Sequence, residues 1–112
     1  MIRATTPTHI FCFCDINPEE TFKTILITYA QNDDIVLEKN KDDLAFESKV
    51  VEGETKYFAL LRLTQEETKM FSSKPNASIV VQLRALSYDN SAVASNKIKI
   101  SLQDVLNDEV LI

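Results

Sequence analysis

The stretch from Leu63 to Ile100 constrains the fold of this chain more than any other part of it. Residues 78–87 alternate in the manner of a β-strand, with Ile79, Val81, Leu83 and Ala85 on one side. Before this strand, Thr64-Gln65-Glu66-Glu67 has the form of a capping box, in which Thr64 and Glu67 bond to each other's backbone N–H and start a helix. The stretch therefore predicts, in order, a strand, a short helical turn, a strand, a tight turn and a strand.

The rest of the chain also alternates and predicts further short strands. From His9, the residues Ile10, Cys12 and Cys14 share one face and Phe11 and Phe13 share the other, which predicts a strand covered on both sides. Residues 25–30 and 35–39 flank Asn32-Asp33-Asp34 and predict a hairpin. Further strands are expected at residues 44–46, 50–51, 57–63 and 92–102, the last with Ala94, Ile98, Ile100 and Leu102 inward and Lys97 and Lys99 outward.

About seven short strands at this spacing predict an all-β fold, an antiparallel, immunoglobulin-like β-sandwich with one short helical turn between two late strands. No linker or repeat divides the 112 residues, so residues 1–112 are expected to form a single domain. Because the chain contains a single glycine, Asn and Asp are expected to make most of the turns. The candidates are Asn32-Asp33-Asp34, Asn40-Lys41-Asp42 and Asp89-Asn90.

Composition limits the classes of partner. The net charge is −5 and the 12 basic residues are scattered, so nucleic-acid binding is not expected. No apolar run is long enough to span a membrane. The polar N-terminus does not resemble a signal peptide, and we expect the protein to stay in the cytoplasm in which it is made.

The residues that carry chemistry are few and scattered. His9, the single histidine, has no evident partner, and we expect it to be structural. Cys12 and Cys14 lack the second cysteine pair of a zinc site, so they are expected to be buried free thiols. The acidic pairs do not follow a calcium-loop pattern and are expected to be solvated turns. The sequence thus predicts no catalytic, cofactor or metal site, and no enzyme.

The C-terminal tail is the remaining candidate. Leu102, Val105, Leu106 and Val110 have helical spacing, and the chain closes with Val110, Leu111 and Ile112. Such an apolar end either folds back on the domain or binds a partner, and these last three residues are the candidate partner-binding residues.

Several segments together resemble one family of proteins. The opening residues 1–9, the segments Ile25–Gln31, Leu63–Thr68 and Val81–Arg84, and the closing residues 105–111 are similar to short phage and prophage proteins of Firmicutes. The resemblance implies a non-enzymatic virion structural protein of tail, baseplate or neck type. Its expected partners are other virion proteins or copies of itself, and its expected location is the host cytoplasm and then the virion. A carbohydrate-binding or adhesion-like module is the alternative, although the chain has no Trp.

Overall fold

The protein is an antiparallel β-sandwich in its computed structural model, which describes residues 5–13, 15–71, 78–95 and the backbone of 98–101. The strands are β1 (Thr8–Phe13), β2 (Phe22–Gln31), β3 (Asp34–Asn40), β4 (Ala45–Val51), β5 (Glu54–Arg62), β6 (Ser78–Ser87), β7 (Ala92–Ala94) and β8 (Ile98–Ser101). Two short helices, α1 (Pro18–Thr21) and α2 (Gln65–Lys69), and a 3-10 turn at Lys41–Asp43 complete the described elements. The predicted all-β sandwich is confirmed.

The strands form two sheets. One sheet has the order β1-β5-β4, and the other has the order β3-β2-β6, with β7 and β8 both paired to the far edge of β6. Every pair is antiparallel. Because β5 and β6 lie in different sheets, α2 carries the chain across the sandwich, as the sequence pattern predicts.

The core lies between the two sheets and is formed by alternate residues of their inner faces. On β2 the inward residues Ile25, Ile27 and Tyr29 are fully buried, and β6 lies directly beside them, with Tyr29 opposite Val81. The other buried core residues are Phe22, Ala59, Leu61, Leu63, Phe71, Ile79, Leu83 and Ala85. Burial of these side chains is the main stabilising contribution to the fold.

The helix α2 begins as its sequence predicts. Thr64 Oγ1 accepts the N–H of Glu67 at 3.1 Å, and a Glu67 carboxylate oxygen accepts the N–H of Thr64 at 2.9 Å. The capping box is therefore present. After the helix, Phe71 packs in the core, whereas Met70 is 55% exposed.

Two local predictions are wrong. The last strand does not run unbroken over residues 92–102, because Ser95 Oγ accepts the N–H of Leu83 at 2.9 Å and so takes a bond that the strand backbone would make. Ala94 is exposed rather than inward, and Leu102, Lys97 and the side chains of 98–101 lie outside the described residues. Helix α1 was also not predicted, although Asn17 caps it and Pro18 occupies its first turn.

The turns depend on Asn, as expected, in two of three places. Asn32 and Asp33 have φ of 54° and 65°, and Asn90 has φ of 66°. Asn40 instead has φ of −118° and caps the 3-10 turn.

No helix in the described part of the chain is long and apolar enough to cross a membrane.

Candidate interaction surface

The outer face of the three-stranded sheet carries an apolar outer strip, formed by Ile10, Cys12, Phe58 and Leu60. Strand register places Ile10 opposite Leu60, and Cys12 opposite Phe58. Ile10 is 62% exposed, Cys12 is exposed, and the two β5 residues are half-buried. An antiparallel sheet usually has polar residues on the face that meets water. The strip is therefore a departure from the expected pattern.

The charged residues around the strip lie at its borders. Glu47 of β4 lies opposite Phe58, and the next row along the sheet pairs Lys49 with Lys56. Arg62 lies beyond the other end, and its guanidinium donates to Thr6 Oγ1 at 3.3 Å. A shallow depression of about 100 Å³ lies between Ile10, Glu47, Lys49, Phe58 and Leu60. An apolar centre with a charged border is the usual anatomy of a protein-binding surface.

The tip of the β4–β5 hairpin, residues 49–56, extends past the rest of its sheet. Among the described residues, the last pair between β1 and β5 is Phe13 with Tyr57, and the tip pairs that follow have two strands only. Val50 is 72% exposed and Val51 43% exposed. A two-stranded hairpin has little stability of its own in water. The tip therefore contributes little to the core and presents both of its faces to the surroundings.

His9 lies on the opposite, inner face, where it contacts the core rather than solvent-facing groups. Its Nδ1 and the hydroxyl oxygen of Tyr29 lie 2.5 Å apart and share a hydrogen bond. Burial raises the pKa of Tyr29, as does the negative charge of Glu67, and burial lowers the pKa of His9. Both groups are consequently neutral at neutral pH. This pair fits the structural role predicted for His9.

Glu67 links α2 to the five-stranded sheet. It forms an ion pair with Lys39 of β3 in addition to its capping bonds. Burial alone raises the pKa of Glu67, but the hydrogen bonds from Lys39 and Thr64 outweigh this and lower it. The carboxylate therefore stays ionised and holds the first turn of α2 against β3.

A groove of about 520 Å³ crosses the outer face of the five-stranded sheet. Ala30, Ile35 and Val80 contribute apolar side chains to it. Its polar lining residues are Thr28, Asn32, Asp33, Ser78, Gln82 and Arg84. None of the described residues that line the groove is aromatic. It offers amide, hydroxyl, carboxylate and guanidinium groups on a shallow floor.

The structure changes the prediction for the thiols. Cys12 is exposed and free, not buried, because the outer face of β1 is uncovered within the described residues. Cys14 lies outside the described residues, as do the candidate partner-binding residues Val110, Leu111 and Ile112. In the described part of the chain, no three His, Cys, Asp or Glu side chains are grouped to hold a metal ion.

The apolar outer strip was missed at the sequence level, although its signal was present. Ile10 and Cys12 alternate with Phe11 and Phe13, and this pattern was interpreted as burial on both faces. Alternation shows that a strand has two apolar faces, but it does not show whether anything covers the second one.

No protein-family model matches the chain, and no curated protein matches it significantly. The resemblance to phage virion proteins therefore remains a prediction.

Proposed function

We propose that this protein is a non-enzymatic structural module that acts by binding other proteins in an assembly. The apolar outer strip is the observation that carries the proposal. Its residues lie on a regular sheet face that is open to solvent over the described residues. Covering an exposed Ile or Phe side chain contributes about 1.5–3 kcal/mol, which makes the strip a favourable contact for an apolar partner surface.

The kind of assembly is proposed from the resemblance in sequence. A phage or prophage virion component of tail, baseplate or neck type works through contacts with neighbouring proteins or copies of itself. Such a protein is made in the host cytoplasm and then incorporated into the particle. The apolar tail at Val110, Leu111 and Ile112 is proposed as a second contact in the same assembly.

The experiment replaces the strip without changing the core. In the phage or prophage that encodes the chain, the double variant Ile10→Thr/Leu60→Thr should fold normally but be depleted from purified particles, as quantified by mass spectrometry. Ile35→Thr is the matched control, because Ile10 and Ile35 are both 62% exposed and lie on different sheets. Absence of the unaltered protein from purified particles would contradict the virion assignment. Equal incorporation of both variants would contradict the role of the strip.

A carbohydrate-binding module is the second candidate, and the polar groove on the five-stranded sheet is the observation that favours it. Hydroxyl, amide and guanidinium groups are the donors and acceptors that sugars require. The groove lacks an aromatic ring for stacking on a sugar face. Binding of the purified protein on a glycan array that is lost in Gln82→Ala, and kept in Ile10→Thr/Leu60→Thr, would favour this function over the first.

A further inference from the structure

Strand β4 lies at the edge of the three-stranded sheet, where β5 is its one partner among the described residues. Its outer edge therefore presents backbone N–H and C=O groups that no strand of the described part of the chain uses. The strand has seven residues, Ala-Phe-Glu-Ser-Lys-Val-Val, and six of them are exposed. Lysine on an edge strand usually discourages pairing, but here Lys49 is separated from Glu47 by one residue on the same face.

The sequence of β4 is complementary to itself when it is read antiparallel about Ser48. Glu47 then lies opposite Lys49 of a second copy, and Lys49 lies opposite Glu47. On the other face, Phe46 lies opposite Val50, and at the ends Ala45 lies opposite Val51. Apart from Ser48, which lies opposite itself at the axis, every pair thus joins either opposite charges or apolar side chains, which are cross-strand pairs that stabilise sheets.

The surroundings of Lys49 favour the same arrangement. Within one chain Lys49 lies directly opposite Lys56 of β5, and like charges opposite each other are unfavourable. A second copy brings Glu47 to the free side of Lys49, so that the lysine gains a carboxylate partner. Val50, which is 72% exposed in the single chain, gains the ring of Phe46 beside it.

We propose that β4 pairs with β4 of a second copy around a two-fold axis at Ser48, which joins two three-stranded sheets into one continuous sheet. This inference deepens the proposed function, because it names a copy of the same chain as a partner and β4 as the contact. One pair of seven-residue strands buries less than the roughly 1,200 Å² of a standard stable interface. We therefore expect a weak dimer in dilute solution that is reinforced when other contacts hold the copies together.

A cysteine at the two-fold axis tests the register. Residues opposite each other in antiparallel strands have Cα atoms about 4.5–5.5 Å apart, within the range that a disulfide spans. In a Cys12→Ser/Cys14→Ser background, Ser48→Cys should form a disulfide-linked dimer under mild oxidation at least about tenfold faster than Thr55→Cys, since docking holds the two positions together. Thr55 is the control because it is also exposed on the same hairpin but lies away from the axis.

Charge reversal tests the pairing of Glu47 with Lys49. In the Ser48→Cys background, Glu47→Lys alone and Lys49→Glu alone should each slow cross-linking, because each places like charges opposite each other. An equal mixture of these two variants should cross-link mainly as the mixed dimer, identified by its mass, and the double variant Glu47→Lys/Lys49→Glu should recover the original rate. All these side chains are exposed, so unchanged thermal unfolding verifies the fold of each variant.

Two outcomes would overturn the inference. If Ser48→Cys cross-links no faster than Thr55→Cys, the two-fold axis is not at Ser48. Equal cross-linking of the single charge variants and their mixture shows that Glu47 and Lys49 do not pair. In either case the depletion of Ile10→Thr/Leu60→Thr from particles is unaffected, so the proposed function stands or fails separately.

Discussion

The hairpins β2–β3 and β4–β5 turn in the same way but lie in opposite surroundings. Each turns over two residues with positive φ, 54° and 65° at Asn32 and Asp33, and 53° and 81° at Glu52 and Gly53. This conformation matches the twist of the strands that it joins. The first hairpin has β6 along its other side and faces the core. The tip of the second extends past the end of β1, and among the described residues no third strand lies beside it.

Side-chain bonds increase the contrast. Tyr29 and Lys39 of the first hairpin bind His9 and Glu67, which belong to other elements. Lys41, just after β3, donates to the backbone oxygens of Glu19 and Phe22 at 2.7 and 2.6 Å. The same turn geometry thus closes one hairpin that is bonded to other elements up to its end, and another whose tip is available for binding. The following predictions test this difference.

The largest effect is expected from truncating a core side chain of the first hairpin. Ile27 is fully buried, so Ile27→Ala should lower the free energy of unfolding by about 2–5 kcal/mol through lost burial and a cavity. Val50→Ala in the second hairpin should change it by less than about 0.5 kcal/mol. Chemical denaturation measures both. A comparable loss in the two variants would show that the tip of the second hairpin also belongs to the stable core.

The capping box of α2 should contribute about 1 kcal/mol. Thr64→Ala removes the hydroxyl oxygen that accepts the backbone N–H of Glu67. The side-chain carboxylate of Glu67 also forms the ion pair with Lys39 of the first hairpin. Thr64→Ser keeps the oxygen and should retain most of the stability in the same denaturation experiment. An unchanged free energy of unfolding in Thr64→Ala would argue against a stabilising cap.

Exchanging the first turn residues of the two hairpins tests how much the residue type in the turn, rather than the packing around the hairpin, determines stability. Glu52 has positive φ, which Asn tolerates better, so Glu52→Asn should stabilise the protein by roughly 0.5–1 kcal/mol. Asn32→Glu should destabilise it by a similar amount for the opposite reason. Thermal unfolding of both variants measures the difference. If Glu52→Asn leaves the stability unchanged, the tip is already unfolded in the native protein and does not contribute to the stability of the domain.

A smaller effect is expected from pH, since the imidazole of His9 is partly exposed. Burial holds its folded-state pKa below the ordinary value of 6.5. As the pH falls below 6.5, the imidazole of the unfolded chain takes up a proton before that of the folded chain. The free energy of unfolding should therefore decrease from its full value above pH 6.5 until the pH has passed the folded-state pKa. His9 is the single histidine, so His9→Gln should flatten this decrease. An unchanged slope in His9→Gln would assign the decrease to other groups.

The smallest effect on stability is expected from the tail. If Val110, Leu111 and Ile112 bind a partner, deleting residues 107–112 should leave the thermal transition almost unchanged and weaken incorporation or self-association. Differential scanning calorimetry and particle composition measure the two properties. A loss of several kcal/mol would show that the tail packs on its own domain.

The sequence predicted those parts of the fold in which one local pattern decides the outcome. Residues 78–87 alternate without interruption, Thr64 and Glu67 form a complete cap, and Asn32-Asp33 suits a tight hairpin turn. At each of these places propensity, pattern and tertiary contacts favour the same structure.

Predictions failed where a competing bond or an uncovered face decided the structure. Ser95 interrupts the last strand through a side-chain bond that alternation does not reveal. Cys12 and Ile10 were predicted to be buried because apolar residues usually are, yet the candidate surface consists of such exceptions. The self-complementarity of β4 could not be recognised before the structure placed this strand at an edge.

The turn at Glu52-Gly53 also determines how this protein tolerates insertions and deletions. Because hydrogen-bonded and non-hydrogen-bonded pairs alternate along an antiparallel hairpin, the same turn is kept when two residues are added on each side of it. Such an addition lengthens the hairpin by about 6.6 Å and leaves every other pair in register. A single added residue has no partner and must be absorbed by a bulge or a different turn. Changes in length at this tip should therefore be accepted in steps of four residues, which allows the length of the hairpin to vary while the sandwich stays the same.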